Sequence, residues 1–138
     1  MHVQMTAKRR NKYKKLAAEL PMPKVYGAPE GNILLVGWGS TQGPLHEAVK
    51  QARAAGEAVS ALHIKYLHPL PNGLEQIFEA FNHVLVVELN DEGFYGNGQF
   101  AALLRGRFAD PKIRSITKTD GLTWKVREIL DRAYGLTK

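Results

Sequence analysis

The chain contains no cysteine among its 138 residues. This absence excludes disulfide bonds, cysteine-ligated iron–sulfur clusters, thiolate zinc sites and a cysteine nucleophile within the chain. No apolar run approaches the roughly 20 residues that a membrane-spanning helix needs, and the first residues are basic and polar. We therefore expect no membrane partner, no secretory signal and a cytoplasmic location.

Familiar catalytic signatures are also missing. The sequence has neither the G-x-S-x-G turn of serine hydrolases nor a Walker phosphate-binding loop. His46, His63, His68 and His83 lie on separate segments, and no two of them have the His-x-x-x-His spacing of a metal site. We therefore assign no catalytic residue and no metal ligand to this chain.

The excess of positive charge is confined to the first 15 residues. The net charge is +6, and six of the 19 basic residues precede residue 16, which leaves 13 basic residues against 13 acidic ones in the remainder. A nucleic-acid-binding surface usually enriches the folded body in basic residues as well. We therefore expect no nucleic-acid partner, although binding through the basic segment alone stays open as an alternative.

The basic segment is predicted to form a helical arm. Apolar residues recur at helical spacing over 6–20, with Thr6 as the N-cap and Pro21 as the stop. The proline-rich stretch that follows is typical of an extended linker. We divide the chain into an arm and linker over 1–31 and an α/β domain over 32–138.

Short aliphatic strands alternate with amphipathic helices through the rest of the chain. Strands are predicted at 33–36, 59–64, 84–87 and 113–116, each followed by a helix whose apolar residues recur at helical spacing. Such alternation favours right-handed crossovers and a mainly parallel sheet covered by helices on both faces. The predicted fold is a three-layer α/β sandwich with four to five strands.

Two of these strands, at 33–36 and 84–87, are entirely aliphatic, which is typical of central strands. The loops that follow central strands flank a common crevice at the carboxyl edge of the sheet. We therefore predict that this crevice forms an anion site or an interface. Its candidate residues are Gly39, Ser40, Thr41, Glu88, Asn90 and Gln99.

The motif Gly37-x-Gly39-x-x-x-Gly43 invites comparison with the dinucleotide-binding fingerprint. Its spacing is longer by one residue, Trp38 is bulky, and Lys65 stands where an acid would hold the ribose. The motif is therefore interpreted first as a tight strand-to-helix turn. Capture of an anion by Ser40, Thr41 and free helix amides stays open, so the alternative function is a free-standing α/β anion- or nucleotide-binding module.

The loop after the second aliphatic strand contains acidic and aromatic residues. The acids lack the spacing of a cation site. Because Glu88 directly ends a buried strand, we expect it to be hydrogen-bonded and to face a partner. Phe94 and Tyr95 are interpreted as an interface plug rather than as a base-stacking platform.

Three ordered blocks resemble the alpha subunit of 2-oxoacid:ferredoxin oxidoreductases, and in particular the 2-oxoglutarate type. The blocks are Gly37–Gly43 with Glu47–Val49, Leu62–Pro71, and Val86–Asn90 through Gly98–Gln99; Met5–Arg9 and Leu20–Gly27 resemble the connector from a preceding pyrimidine-binding domain. The resemblance implies the carboxyl-terminal, transketolase-C-like domain of that subunit. The longer loop over 91–97 departs from the family pattern, so contacts at Asn90 and Gln99 are not transferred.

The resemblance also implies an activity for the complete enzyme. The family decarboxylates a 2-oxoacid oxidatively to an acyl-CoA, using thiamine diphosphate, Mg²⁺, iron–sulfur clusters and coenzyme A, and passes electrons to ferredoxin. It implies that this chain binds none of these cofactors alone, is inactive alone, serves subunit assembly and lines the approach to the active site. The implied partners are the remaining alpha-subunit domains and the beta subunit; a homodimer stays open.

Overall fold

A computed structural model describes residues 2–138, so Met1, the first residue of the predicted arm, lies outside the described residues. The core is one five-stranded sheet in the order β1-β3-β2-β4-β5, in which β1 is antiparallel and the other strands are parallel. The strands are β1 (Val25–Tyr26), β2 (Gly31–Gly37), β3 (Val59–His63), β4 (Phe81–Glu88) and β5 (Ile113–Thr117). The predicted mainly parallel α/β sandwich is confirmed.

Helices cover both faces of the sheet. Successive strand residues point to opposite faces, so the apolar strands place apolar side chains on both of them. The helices are α1 (His2–Glu19), α2 (Gln42–Ala54), α3 (Leu74–Glu79), α4 (Gln99–Phe108) and α5 (Val126–Thr137), with a short 3₁₀ turn at Gly39–Thr41 before α2. Ile33 and Leu35 of β2 pack in a core with α2 and α5. Leu34 and Val36 pack in a second core with α3 and α4. The apolar strand β2 is buried from both sides as its sequence predicts.

The winding of the chain reverses between β2 and β4. Leu34 of β2 pairs with Ser60 of β3 on one side and with Val84 of β4 on the other. The two aliphatic strands are therefore the central neighbours that the sequence predicts, and their carboxyl ends lie side by side. In open parallel sheets, ligands bind at such a switch point.

The predicted linker contributes an edge strand that periodicity could not reveal. Val25 and Tyr26 pair antiparallel with Leu62 and Ala61 of β3. The Ser60 hydroxyl donates a hydrogen bond to the Ala28 carbonyl at 2.7 Å and fixes the segment that follows β1. A two-residue strand is too short for an alternating pattern. The proposed division at residue 31 stays a prediction.

The arm is a helix that lies mostly exposed. It begins at His2 rather than at residue 6, and the Thr6 hydroxyl donates to the His2 carbonyl at 2.8 Å within the helix, so the predicted N-cap role of Thr6 is wrong. Ala17 is its one buried residue, and the Tyr13 ring lies 4.8 Å from the ring of His68. Within residues 2–138, no helix has both the length and the apolar character needed to cross a membrane.

Candidate functional site

The turn between β2 and α2 explains two of the glycines in the sequence motif. A Cβ atom at Gly37 would overlap the side chains of Thr41 and Leu45, so the close approach of the 3₁₀ turn requires glycine there. Gly39 has a φ of +64°, in the left-handed region that favours glycine. The Thr41 hydroxyl is buried and donates to the Trp38 carbonyl at 2.9 Å. These residues build a tight turn, and the Thr41 hydroxyl is already committed to it.

The Trp38 side chain joins the two loops at the carboxyl edge of the sheet. Its indole Nε1 donates to Glu88 Oε1 at 3.3 Å, and its ring meets the Phe100 ring edge to face with centroids 6.3 Å apart. The structure therefore brings the β2–α2 and β4–α4 loops together. The indole and a carboxylate lie between them, an arrangement that disfavours a dinucleotide pyrophosphate because both bulk and negative charge oppose it.

Glu88 is the centre of a buried polar network. Its side chain is 1% exposed. The carboxylate accepts hydrogen bonds from Trp38 Nε1, Asn90 Nδ2 at 3.1 Å, Phe100 N at 2.7 Å and Ala101 N at 3.1 Å; these five residues are called the Glu88 network below. Phe100 and Ala101 lie in the first turn of α4, whose free N–H groups and dipole favour an anion. The expected hydrogen bonding of Glu88 is present, but the carboxylate faces a helix of its own chain.

Gly98 provides the space for this carboxylate. A Cβ atom at Gly98 would overlap the Glu88 carboxylate, and the Gly98 N–H donates to Ser115 Oγ at 2.9 Å. Neither Gly98 nor Ser115 is among the candidate site residues predicted from the sequence. No local sequence pattern marks these two residues, because Gly98 and Ser115 lie 10 and 27 residues after Glu88 in the chain.

The remaining candidate residues are placed differently around the crevice. Asn90 is half-buried, and its Oδ1 atom is buried without a hydrogen-bond partner among residues 2–138. Ser40 and Gln99 are exposed. The Gly39 carbonyl lies 2.9 Å from His63 Nε2. Glu88 and Asn90 are thus in direct contact, whereas Ser40 and Gln99 present their side chains to solvent.

The long loop over 91–97 exposes two aromatic rings. Phe94 is 96% exposed and Tyr95 is 89% exposed, and their rings meet edge to face at 5.4 Å. Gly93 and Gly96, which flank them, have φ values of +64° and +76°. The rings contact each other above a glycine-flanked loop, and their role as an interface plug stays a prediction.

Two histidines that are distant in sequence lie near the turn. The half-buried His46 ring stacks on Tyr26, with centroids 3.9 Å apart and planes 5° from parallel. Burial lowers the pKa of His46, and the nearby His63 and Lys50 lower it further. Over residues 2–138, no group of three or more histidines and acids is arranged to hold a metal ion.

Comparison with known proteins first defines the class of fold. The split-gene transketolase in its inactive beta4 tetramer matches with a TM-score of 0.53 at 20% identity, over 83% of this chain and 37% of that chain. The fold is therefore transketolase-like. The family described as pyruvate:ferredoxin oxidoreductase core domain II then matches residues 31–129, and this chain belongs to that family.

Two proteins with similar sequences are subunits of 2-oxoacid oxidoreductases. The 2-oxoglutarate oxidoreductase subunit KorA of Mycobacterium tuberculosis is 36% identical over 100 residues, which are 72% of this chain and 14% of that protein. The alpha subunit of 2-oxoacid:ferredoxin oxidoreductase 2 of Aeropyrum pernix is 31% identical over 121 residues, 85% of this chain and 18% of that protein. This chain therefore spans less than one fifth of these relatives. The resemblance to these alpha subunits is confirmed.

A solved structure matches nearly the whole chain. The 2-oxoglutarate:ferredoxin oxidoreductase from Magnetococcus marinus, with 2-oxoglutarate, coenzyme A and succinyl-CoA bound, has a TM-score of 0.86 at 27% identity. The match covers 99% of this chain and 23% of that chain. The helical arm is therefore part of the shared structure along with the α/β domain.

Proposed function

We propose that this chain is a non-catalytic domain of a thiamine-diphosphate-dependent 2-oxoacid:ferredoxin oxidoreductase alpha subunit. It serves assembly of the enzyme and lines the approach to the active site. The observation that carries the proposal is the match of 99% of the chain, arm included, to a 2-oxoglutarate:ferredoxin oxidoreductase with a TM-score of 0.86. In this proposal, 2-oxoglutarate is the substrate and ferredoxin the electron acceptor of the complete enzyme.

The Glu88 network supports a non-catalytic role. A general acid or base needs a side chain that can reach the reacting group. The Glu88 carboxylate is 1% exposed and already accepts four hydrogen bonds from its own chain. It stabilises α4 and the two loops instead of presenting a free carboxylate to a substrate.

The cofactors of the complete enzyme are assigned to other parts of it. A thiolate-held iron–sulfur cluster does not fit this chain, since it has no cysteine. Thiamine diphosphate with Mg²⁺ does not fit the crevice either, because the buried Glu88 carboxylate already accepts N–H donors of its own chain and is not free to ligate Mg²⁺. We therefore derive no reaction step for this chain.

The exposed arm supports the proposed role in assembly. Tyr13 and Leu16 of α1 are 45% and 44% exposed, although both are large apolar residues. Isolated helices are marginal in water, and most helical stability in proteins comes from tertiary packing. The remaining alpha-subunit domains and the beta subunit are the partners that we propose for this helix.

Co-purification tests the proposal. We expect the chain to form a stoichiometric complex with the remaining alpha-subunit domains and the beta subunit. Only that complex should reduce ferredoxin when 2-oxoglutarate and coenzyme A are added. The double variant Tyr13→Asp, Leu16→Asp should weaken the association at least tenfold. The matched variant Leu122→Asp, at a residue that is 60% exposed on another loop, should leave it unchanged. Failure of the wild-type chain to associate would refute the proposal.

A further inference from the structure

Three arginines line one open cavity at the β5 edge of the sheet. Arg105 belongs to α4, Arg114 to β5 and Arg132 to α5, and the cavity has a volume of about 470 Å³. We propose that this cavity, called the arginine cavity below, binds the phosphate groups of a small anionic ligand. The inference goes beyond the proposed function, which assigns no ligand to this chain.

The chain itself holds each guanidinium in place. Nη1 of Arg105 donates to the Ile113 carbonyl, Nη1 of Arg114 to the Leu136 carbonyl at 2.7 Å, and Nη1 of Arg132 to the Thr117 carbonyl. A guanidinium has five N–H donors, so these bonds fix its position and leave other donors for a ligand. Pre-ordered side chains lose less conformational entropy when a ligand binds.

The positive charge of the cavity is not neutralised by ion pairs. Within residues 2–138, the ion pairs shorter than 4.0 Å involve other basic residues and none of these three arginines. Three cations around one cavity repel one another, and an anion between them relieves that repulsion. The arrangement therefore favours a ligand that carries more than one negative charge.

The geometry of the donors favours phosphate. Guanidinium groups bind phosphate oxygens through paired N–H donors, and Arg is preferred over Lys for such recognition. Ser115 and Asn97 add polar groups to the cavity lining. Glu92 is the one acid in that lining, and its carboxylate opposes an anion. The Arg132 guanidinium also lies 5.7 Å from the centre of the Trp124 ring, a cation–π contact that fixes its direction.

Titration of the chain with inorganic phosphate and with pyrophosphate tests the proposal. Both titrations are done at constant ionic strength and followed by calorimetry and by backbone amide shifts. We expect saturable one-to-one binding that is tighter for pyrophosphate, with the largest shifts at Asn97, Ser115 and Gly135. Binding that does not saturate, or shifts that lie elsewhere in the wild-type chain, would overturn the proposal.

Variants distinguish a specific anion-binding site from general attraction of the anion to positive charge. Arg114→Ala and Arg132→Ala should each weaken pyrophosphate binding at least tenfold, and Glu92→Gln should strengthen it. The matched control is Arg127→Ala, which removes one charge from the same helix as Arg132 at a side chain that is 92% exposed and outside the cavity. Equal weakening by Arg127→Ala would show non-specific attraction and refute the site.

Lysine variants at the same two positions control for loss of folding in the alanine variants. Arg114→Lys and Arg132→Lys keep the charge but lose the planar fork, so we expect an intermediate loss of affinity. Unchanged affinity in both lysine variants would contradict recognition by guanidinium geometry. These titrations use the chain alone, so their outcome is independent of the co-purification test.

Discussion

The Glu88 network and the arginine cavity use charge in opposite ways, although the loop over 91–97 connects them in the chain. In the network, one buried carboxylate accepts hydrogen bonds from two side chains and two backbone amides. In the cavity, Arg114 and Arg132 are exposed and Arg105 is half-buried, and carbonyl oxygens hold all three without an ion pair among residues 2–138. The negative charge of Glu88 is fully hydrogen-bonded inside the fold and stabilises it. The positive charges of the three arginines are held in place but not neutralised, so they are available to a ligand.

Replacing one charge in each region should give the largest contrast. Glu88→Ala leaves buried N–H donors at the start of α4 without a partner, so we expect the free energy of unfolding to fall by about 2–4 kcal/mol. Arg114→Ala removes one exposed hydrogen bond, and we expect a loss below about 1 kcal/mol. Urea denaturation monitored by circular dichroism measures both values.

The isosteric variant Glu88→Gln refines this contrast. It keeps one acceptor oxygen but removes the charge that interacts with the α4 dipole, so its loss should lie between those of the two alanine variants. Equal losses for Glu88→Ala and Arg114→Ala would show that the two regions do not differ as described.

A methyl group added at Gly98 should displace the Glu88 carboxylate and so weaken the Glu88 network. Because the added Cβ would overlap the Glu88 carboxylate, Gly98→Ala should lower the free energy of unfolding by about 1–3 kcal/mol. Gly106→Ala is the matched control within α4, where a Cβ meets nothing within 4 Å. That control should be neutral or stabilise the chain by up to about 1 kcal/mol. A neutral result for Gly98→Ala would mean that the carboxylate can move without cost.

The smallest expected effect is a pH dependence at His46, whose ring stacks on Tyr26. The pKa of His46 is lowered in the folded chain, so the unfolded chain binds more protons as the pH falls through the unfolded value of 6.5. The wild-type chain should therefore lose stability between about pH 8 and about pH 5.5, and His46→Gln should lose less over that range. Thermal unfolding across this range measures the difference; parallel curves for the two chains would refute the assignment.

Much of the fold follows from local patterns in the sequence. The aliphatic runs at 33–36 and 84–87 predicted the central strands, and α1 ends before Pro21 as predicted. The two-residue strand β1 and the true start of α1 at His2 were missed. Neither has a periodic signal, because β1 is too short and the few apolar residues in the first half of α1, such as Val3 and Met5, are exposed and form no buried stripe.

The side-chain partners in the two polar regions could not be read from the sequence. Glu88 was placed at the end of a buried strand, but its contact with Phe100 and Ala101 depends on how α4 returns to the sheet. The arginines of the cavity are separated by 9 and 18 residues and lie on three elements. Only the β4–α4–β5–α5 path brings them around one space.

The bonds from Arg105 and Arg132 to carbonyl oxygens also bear on self-association of the sheet. Lys112 and Lys118 pair with β4, so the alternate residues Ile113, Ser115 and Thr117 direct their backbone groups outward from the edge. The two arginines donate hydrogen bonds to the carbonyls of Ile113 and Thr117.

At the opposite edge of the sheet, β1 is only two residues long. Short edges and charged side chains hinder the addition of a foreign strand. Both edges of this sheet are therefore poor templates for the addition of another strand.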